Sequence, residues 1–230
     1  MDYETLYQYG LTARVTQEAS AFDGYYLVRV IRQHRDLYRV AGEQGEMTAA
    51  ISGRLMRELQ QSAGYPAVGD WVMTDRENDA EGNAIIQAVL PRKSAFTRKS
   101  AGSANAVQTV AANVDTIFLC MALNEDYNLR RLERYLTVGW DSGATPIIVL
   151  TKADLCADLP QRMDEIALIG MGAEIVVCSV VDDPDCAALR TRVRPGETAA
   201  FLGSSGVGKS TLINRLLGRE ALLTREIGAD

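Results

Sequence analysis

The sequence predicts an α/β domain with a mostly parallel sheet, preceded by a small all-β barrel of OB type. Three observations carry that reading. Up to about residue 91 the chain is written in short β-favouring runs broken by turn residues. After residue 113 near-continuous apolar strands alternate with amphipathic helices, the pattern of a parallel sheet covered on both faces. Near the end, Gly203 to Ser210 (GSSGVGKS) fit G-x-x-x-x-G-K-[ST] without a mismatch.

In the first half the strand candidates are YYLVRVI, LYRVAG, MTAAISGRLM, GDWVMTD and NAIIQAVLP, five runs at roughly regular spacing. That number suits a five-stranded OB barrel, with an SH3-like barrel as the competitor. Helical periodicity is weak there, apart from turns at the N-terminus and in LMRELQQSAG. The stretch SAFTRKSAGSANAVQ is polar, small and basic. It marks the change of grammar, with residues 1–97 as the barrel, 98–112 as a linker or mobile loop, and 113–230 as the α/β domain.

The second half reads in order as strand VDTIFLCMAL, helix NLRRLERYLTVGW, strand TPIIVL and helix LPQRMDEIALIGM. Strand AEIVVCSV, helix DPDCAALRTRV, strand ETAAFLG and helix KSTLINRLLG complete the series. On the first of these helices Arg130, Arg131 and Arg134 read as a solvated face paired with Glu133 and its neighbours.

Composition removes several classes. Apolar content of 47% and charged content of 23% are globular values, so disorder and coiled-coil readings fall away. No apolar run approaches the ~18 residues of a membrane span, and MDYETLYQYG lacks the layout of a signal peptide. A cytoplasmic protein without a membrane partner is expected. Cys120, Cys156, Cys178 and Cys186 lack zinc-site spacing and read as reduced structural thiols. The sole histidine, His34, excludes chemistry that needs two.

Net charge is −6, against a general nucleic-acid coat, but the acidity is uneven. Residues 1–100 hold 12 Lys/Arg against 13 Asp/Glu, and PRKSAFTRKS clusters Arg92, Lys93, Arg98 and Lys99. These four are candidates for RNA phosphate contacts. Seven of the nine tyrosines precede residue 66 and are read one by one as core or turn residues rather than base-stacking platforms.

Three short elements carry chemistry. In the first, strand TAAFLG runs through Gly203, Ser204, Ser205, Gly206, Val207 and Gly208 into a helix opening with Lys209, Ser210 and Thr211. Glycines let backbone N–H groups turn inward onto phosphate oxygens, and the helix adds its positive N-terminus. Lys209 is placed to bridge β- and γ-phosphates and Ser210 to ligate Mg²⁺. The second element, Thr151-Lys152-Ala153-Asp154, follows a buried strand and resembles the N-K-x-D sequence that reads guanine. A carboxylate at Asp154 accepts from guanine N1–H and N2–H₂, a donor pair adenine lacks. The stem of Lys152 covers the base. Thr151 replaces the asparagine, and its hydroxyl can make some of the same loop-tying bonds. The third, Cys178-Ser179-Val180, resembles the S-A element whose backbone N–H contacts guanine O6.

Their order matters most. A standard GTPase runs phosphate loop, switches, then base-reading loops, whereas this chain runs TKAD, CSV and only then GSSGVGKS. With a β-rich domain in front, the pattern resembles the bacterial family of circularly permuted, small-ribosomal-subunit-dependent GTPases. YPAVGDWV, VLPRKSAFTRK and QTVAANVDTIFLCMALNEDYNLRRLERYL extend the resemblance over most of the chain. The resemblance implies an OB barrel, a permuted P-loop GTPase domain and a C-terminal zinc domain. It further implies GTP/GDP and Mg²⁺ as ligands, the small subunit and its rRNA as partners, and a role in late 30S maturation with hydrolysis stimulated by that subunit. A monomer is expected.

In that family the switch threonine and D-x-x-G follow the phosphate-loop helix, where this chain reaches only LLTREIGAD. The one D-x-x-G, Asp79 to Gly82, follows no buried strand and is rejected as a switch. The chain therefore reads as C-terminally truncated, without zinc ligands, able to bind GDP or GTP and hydrolysing GTP weakly or not at all. The competing readings are an ATP-dependent P-loop enzyme such as a small kinase, and a non-catalytic RNA-binding module with a structural nucleotide site.

Overall fold

A computed structural model describes residues 3–34, 36–60, 64–99, 107–183 and 186–222. The chain forms two compact units, Met1–Val114 with Pro195–Thr198, and Asp115–Arg194 with Ala199–Asp230.

In the first unit β1 (Tyr26–His34), β2 (Leu37–Gly42), β3 (Gly45–Ile51), β4 (Trp71–Thr74) and β5 (Ala84–Val89) close a barrel in the order β1-β2-β3-β5-β4. β1 pairs with both β2 and β4, and the β3–β5 pair is parallel. That closure, with helix α3 (Gly53–Gln60) between β3 and β4, decides for the OB type over an SH3-like barrel. The run YYLVRVI shows no polar alternation because both faces of β1 are covered. Val28 and Val30 point inward with Val40, Met47 and Ile86. Leu27 packs outward with Trp71 and Met73 under Leu6, Leu11 and Val15 of the N-terminal segment. There α1 (Glu4–Gln8) is capped from a distance by Glu43, whose carboxylate accepts from the Thr5 and Leu6 N–H groups at 3.0 and 3.4 Å. A second helix, α2 (Ala13–Ala19), opens with Thr12 accepting from Val15 N–H.

The run MTAAISGRLM is not one strand. β3 ends at Ile51, and the Ser52 hydroxyl accepts from Leu55 N–H at 3.1 Å, starting α3. The stretch 98–112 also departs from a plain linker. β6 (Ala95–Lys99) and β7 (Val107–Ala112) pair antiparallel, and the small residues 100–106 between them lie outside the described residues. This hairpin is fixed at its base. Gly69 sits at φ +95°, where an added Cβ would lie 2.0 Å from the Ala112 carbonyl, so only glycine allows the approach.

Arg92 belongs to the same joint, which corrects its reading as an RNA contact. Its guanidinium grips the fully buried Asp70 at 2.8 and 2.7 Å and reaches Thr109 and the Tyr65 carbonyl at 3.0 and 2.8 Å. Lys93 beside it is exposed; the side chains of Arg98 and Lys99 lie outside the described residues.

The second unit contains β8 (Thr116–Ala122), α4 (Leu129–Asp141), β9 (Thr145–Thr151), α5 (Leu159–Ile169), β10 (Glu174–Val177), α6 (Ala187–Arg190), β11 (Ala199–Leu202) and α7 (Lys209–Leu217). Its four strands are parallel in the order β10-β9-β8-β11. All seven residues of β8 are buried, as expected for an inner strand between two neighbours. Among the described residues of the expected helix DPDCAALRTRV, four are helical, beginning after Cys186 in a left-handed conformation at φ 49°. Because all four strands are parallel, the loops after β8, β9, β10 and β11 all open at the carboxyl edge of the sheet.

Candidate functional site

The loop after β11 begins at Gly203, where a Cβ would come within 2.6 Å of the Cys120 carbonyl on β8. Gly206 and Gly208 adopt φ 78° and 97°, a conformation that lets successive N–H groups face one concavity. Ser205 and Gly206 are exposed and Val207 is buried, so the loop is pinned in the middle of its second half. Lys209 and Ser210 open α7, with Thr211 next. The Lys209 amine lies back along the loop, donating to the Gly203 and Ser204 carbonyls at 2.8 and 2.5 Å. A loop whose glycines allow its N–H groups to turn inward, a helix N-terminus and a lysine amine together suit an anion of several charges. The Ser210 hydroxyl in the first helical turn is a hard oxygen donor beside that anion, a donor set that fits Mg²⁺.

At the end of β9, Thr151 is buried and its hydroxyl donates to the Val207 carbonyl at 2.6 Å. This is the loop-tying bond anticipated from the sequence. Lys152 follows in a left-handed conformation, φ 56°, rare for a long side chain and sustained here by a single turn of 3-10 helix, Ala153–Leu155. Asp154 is exposed, but one carboxylate oxygen accepts from the buried Ser179 hydroxyl at 2.9 Å. Ser179 in turn accepts from the N–H groups of Val181 and Asp182 at 3.3 and 3.2 Å. Ala153 N–H donates to the Cys178 carbonyl at 3.3 Å. The TKAD and CSV loops are thus hydrogen-bonded into one surface that aims Asp154.

Thr151, Lys152, Cys178, Val180, Gly208 and Thr211 line one pocket of about 100 Å³. Residues from three separate loops meet there despite their permuted order. Burial, reinforced by Cys186 and Asp183, pushes the Cys178 thiol up to about 12, so it faces the pocket as a neutral group. Burial does the same to Cys120, against the opposing charge of Lys209. All four cysteines are thiols. Among the described residues no three His, Cys, Asp or Glu side chains are grouped to hold a metal ion.

Asp79 of the rejected D-x-x-G lies in the β4–β5 turn of the barrel and accepts from Thr48 N–H at 2.8 Å, which gives it a local structural role. Sequence reasoning missed Asp126. This residue, in the loop after β8, accepts from the Ser204 hydroxyl at 2.5 Å. Its second partner is Arg131 at 2.8 Å, so this arginine, expected on a solvated face paired with Glu133 and its neighbours, is tied to the loop before its helix. The available signal was its place at the carboxyl end of a parallel strand, where ligand loops gather.

A family model described as RsgA GTPase matches residues 89–230. Small ribosomal subunit biogenesis GTPase RsgA 2 of Lactiplantibacillus plantarum is 47% identical over 98% of this chain and 63% of its own length. Its counterpart RsgA from Opitutus terrae is 44% identical over 87% of this chain and 56% of its own. The chain therefore spans less than two thirds of the length of these curated relatives. Among solved structures, YjeQ from Thermotoga maritima superposes with a TM-score of 0.63 at 22% identity, covering 84% of this chain and 65% of that one. YloQ, described as a circularly permuted GTPase, gives 0.60 at 23% identity, covering 84% and 64%. These two agree with the barrel and the permuted sheet in fold. With the family model covering more than half of its residues, the chain belongs to the RsgA GTPase family.

Proposed function

We propose that the protein binds GTP and GDP with Mg²⁺ and, in its complete form, hydrolyses GTP during maturation of the small ribosomal subunit. One observation supports the nucleotide reading most strongly: Thr151, Cys178 and Gly208, from three permuted loops, line the same pocket beside a glycine-rich loop. The ribosomal role rests on the relatives, which are named small ribosomal subunit biogenesis GTPases.

In this reading Gly203, Ser204, Ser205, Gly206, Val207 and Gly208 wrap the phosphates. Lys209 exchanges its bonds to loop carbonyls for the β- and γ-phosphates. Mg²⁺, when bound, neutralises charge on those phosphates. The Ser210 hydroxyl is its protein ligand, and Thr211 borders the sugar side of the pocket. Asp154, aimed by Ser179, accepts from the guanine edge, while Lys152 covers one face of the base and the backbone of Cys178, Ser179 and Val180 lies toward O6. Lys209 stabilises the charge that develops as the phosphoryl group leaves.

We assign the barrel unit to rRNA, through Lys93, Arg98 and Lys99 rather than Arg92. A cytoplasmic monomer fits this role. The test is single-turnover GTP hydrolysis by the full-length protein with and without small subunits. Strong stimulation by the subunit supports the proposal. Equal rates in both arms, or turnover of ATP in place of GTP, would overturn it. Charge reversal of Lys93, Arg98 and Lys99 should weaken subunit binding and flatten its salt dependence.

A further inference from the structure

The loop after β8 makes a contact with the phosphate loop that the nucleotide reading does not use. Ser204, the second residue of that loop, is held from two sides. Its hydroxyl donates to Asp126 Oδ2 at 2.5 Å, and its carbonyl accepts from the Lys209 amine at 2.5 Å. Asp126 Oδ2 also takes the Arg131 guanidinium at 2.8 Å, and Arg131 donates further to the Asp126 carbonyl. This carboxylate is itself fixed. Asn124 accepts from Asp126 N–H at 3.2 Å, and Asn128 caps α4 by accepting from Arg131 N–H at 2.9 Å. Beyond it, Tyr127 donates to Glu165 of α5 at 2.7 Å and lies under Arg162 at 4.3 Å.

A carboxylate beside a polyphosphate site raises the cost of binding unless its charge is balanced. Arg131 supplies that balance. A charge-assisted bond to Ser204 then anchors the first half of the loop, and with it the carbonyl to which Lys209 donates. We propose that Asp126 is a positioning residue for the phosphate loop, acting through Ser204 on Lys209, with Arg131 as its counter-ion. The proposal rests on the nucleotide reading above for its consequence, but its geometry stands apart from it.

Two readouts test it in the full-length protein. The first is amide hydrogen exchange at residues 203–208 without nucleotide. Asp126→Ala and Ser204→Ala should each accelerate it, and the double variant should exchange no faster than the faster single. The second is fluorescent-GDP affinity. Each single variant should weaken binding about tenfold, the double little further, and Asp126→Asn less than Asp126→Ala. Arg131→Ala should weaken GTP more than GDP, because it leaves the carboxylate unbalanced, and adding Asp126→Asn should restore much of the loss. Exchange at wild-type rates in both single variants, or affinity losses that multiply in the double, would overturn the proposal. Failure of the wild-type protein to bind GDP would instead sink the nucleotide reading, while the exchange cycle still decides the role of Asp126.

Discussion

Thr151 stands where the guanine-reading pattern has asparagine, and its single hydroxyl performs one part of that residue's work. The bond to Val207 is short and buried, so removing the hydroxyl leaves a carbonyl without its partner, at a cost of about 1–3 kcal/mol. Thr151→Val should therefore lower GDP affinity about tenfold while retaining the preference for guanine, as a nucleotide titration would report. The thiols give a second test at this scale. Cys120 and Cys178 are pushed up to about 12 by burial, and Cys186 is buried too. In mildly alkaline buffer a thiol reagent should modify the half-exposed Cys156 rapidly and the other three only on unfolding. The TKAD, CSV and glycine-loop residues were legible as candidates because each motif is a local string at the carboxyl end of a strand. Asp126 was not, since its partner Ser204 lies 78 residues away and no local pattern links them.

Elements are joined by charged side chains whose partners the sequence does not reveal. Arg92 looked like part of a basic patch, yet it spans β7 and the turn before β4 through Asp70. Arg92→Ala should cost about 3–5 kcal/mol of stability in denaturant unfolding, because a buried carboxylate loses its counter-charge. Lysine at that position should rescue only part, lacking the two-pronged geometry. A similar joint ties the β8–α4 loop to α5. The Tyr127 hydroxyl, then Arg162 and Gln161, hold the Glu165 carboxyl below its ordinary range, while burial and Glu165 push Tyr127 up to about 12. A depressed carboxyl contributes stability above its unfolded pKa and loses it as pH falls through the folded one. The melting-temperature difference between the wild-type protein and Glu165→Gln should thus be full at neutral pH and vanish in acid, below the usual glutamate range. The barrel strands were readable from β-branched runs with turn residues between them. The hairpin β6–β7 was hidden because its strands are short and joined by a small, polar segment that reads as linker.

At the scale of the molecule, the order among the described strands is β10-β9-β8-β11, so β11, which leads into the glycine-rich loop, lies beside β8 and not beside β10, the strand that precedes it in the chain. The meeting of the loops was readable from motif order, because the loops of a parallel sheet meet at one edge whichever strand comes first; the strand order itself was not. The division into units was only partly readable. Pro195–Thr198, immediately before β11, groups with the barrel unit, where Arg29 donates to Thr198 at 2.8 Å. Nothing in the composition of that short segment sets it apart.

The central claim is that this permuted edge reads guanine. Its most direct test is displacement of fluorescent GDP by unlabelled GDP, GTP, ADP, ATP and XDP, in the wild-type protein and in Asp154→Asn. The account predicts displacement by GDP and GTP and none by ADP or ATP at about a hundredfold excess, because adenine leaves the Asp154 carboxylate unpaired. In Asp154→Asn, where an amide donor faces the 2-oxo group of xanthine, XDP should compete better than GDP. Displacement by ADP as effective as by GDP, or an Asp154→Asn variant with unchanged base preference, would contradict it.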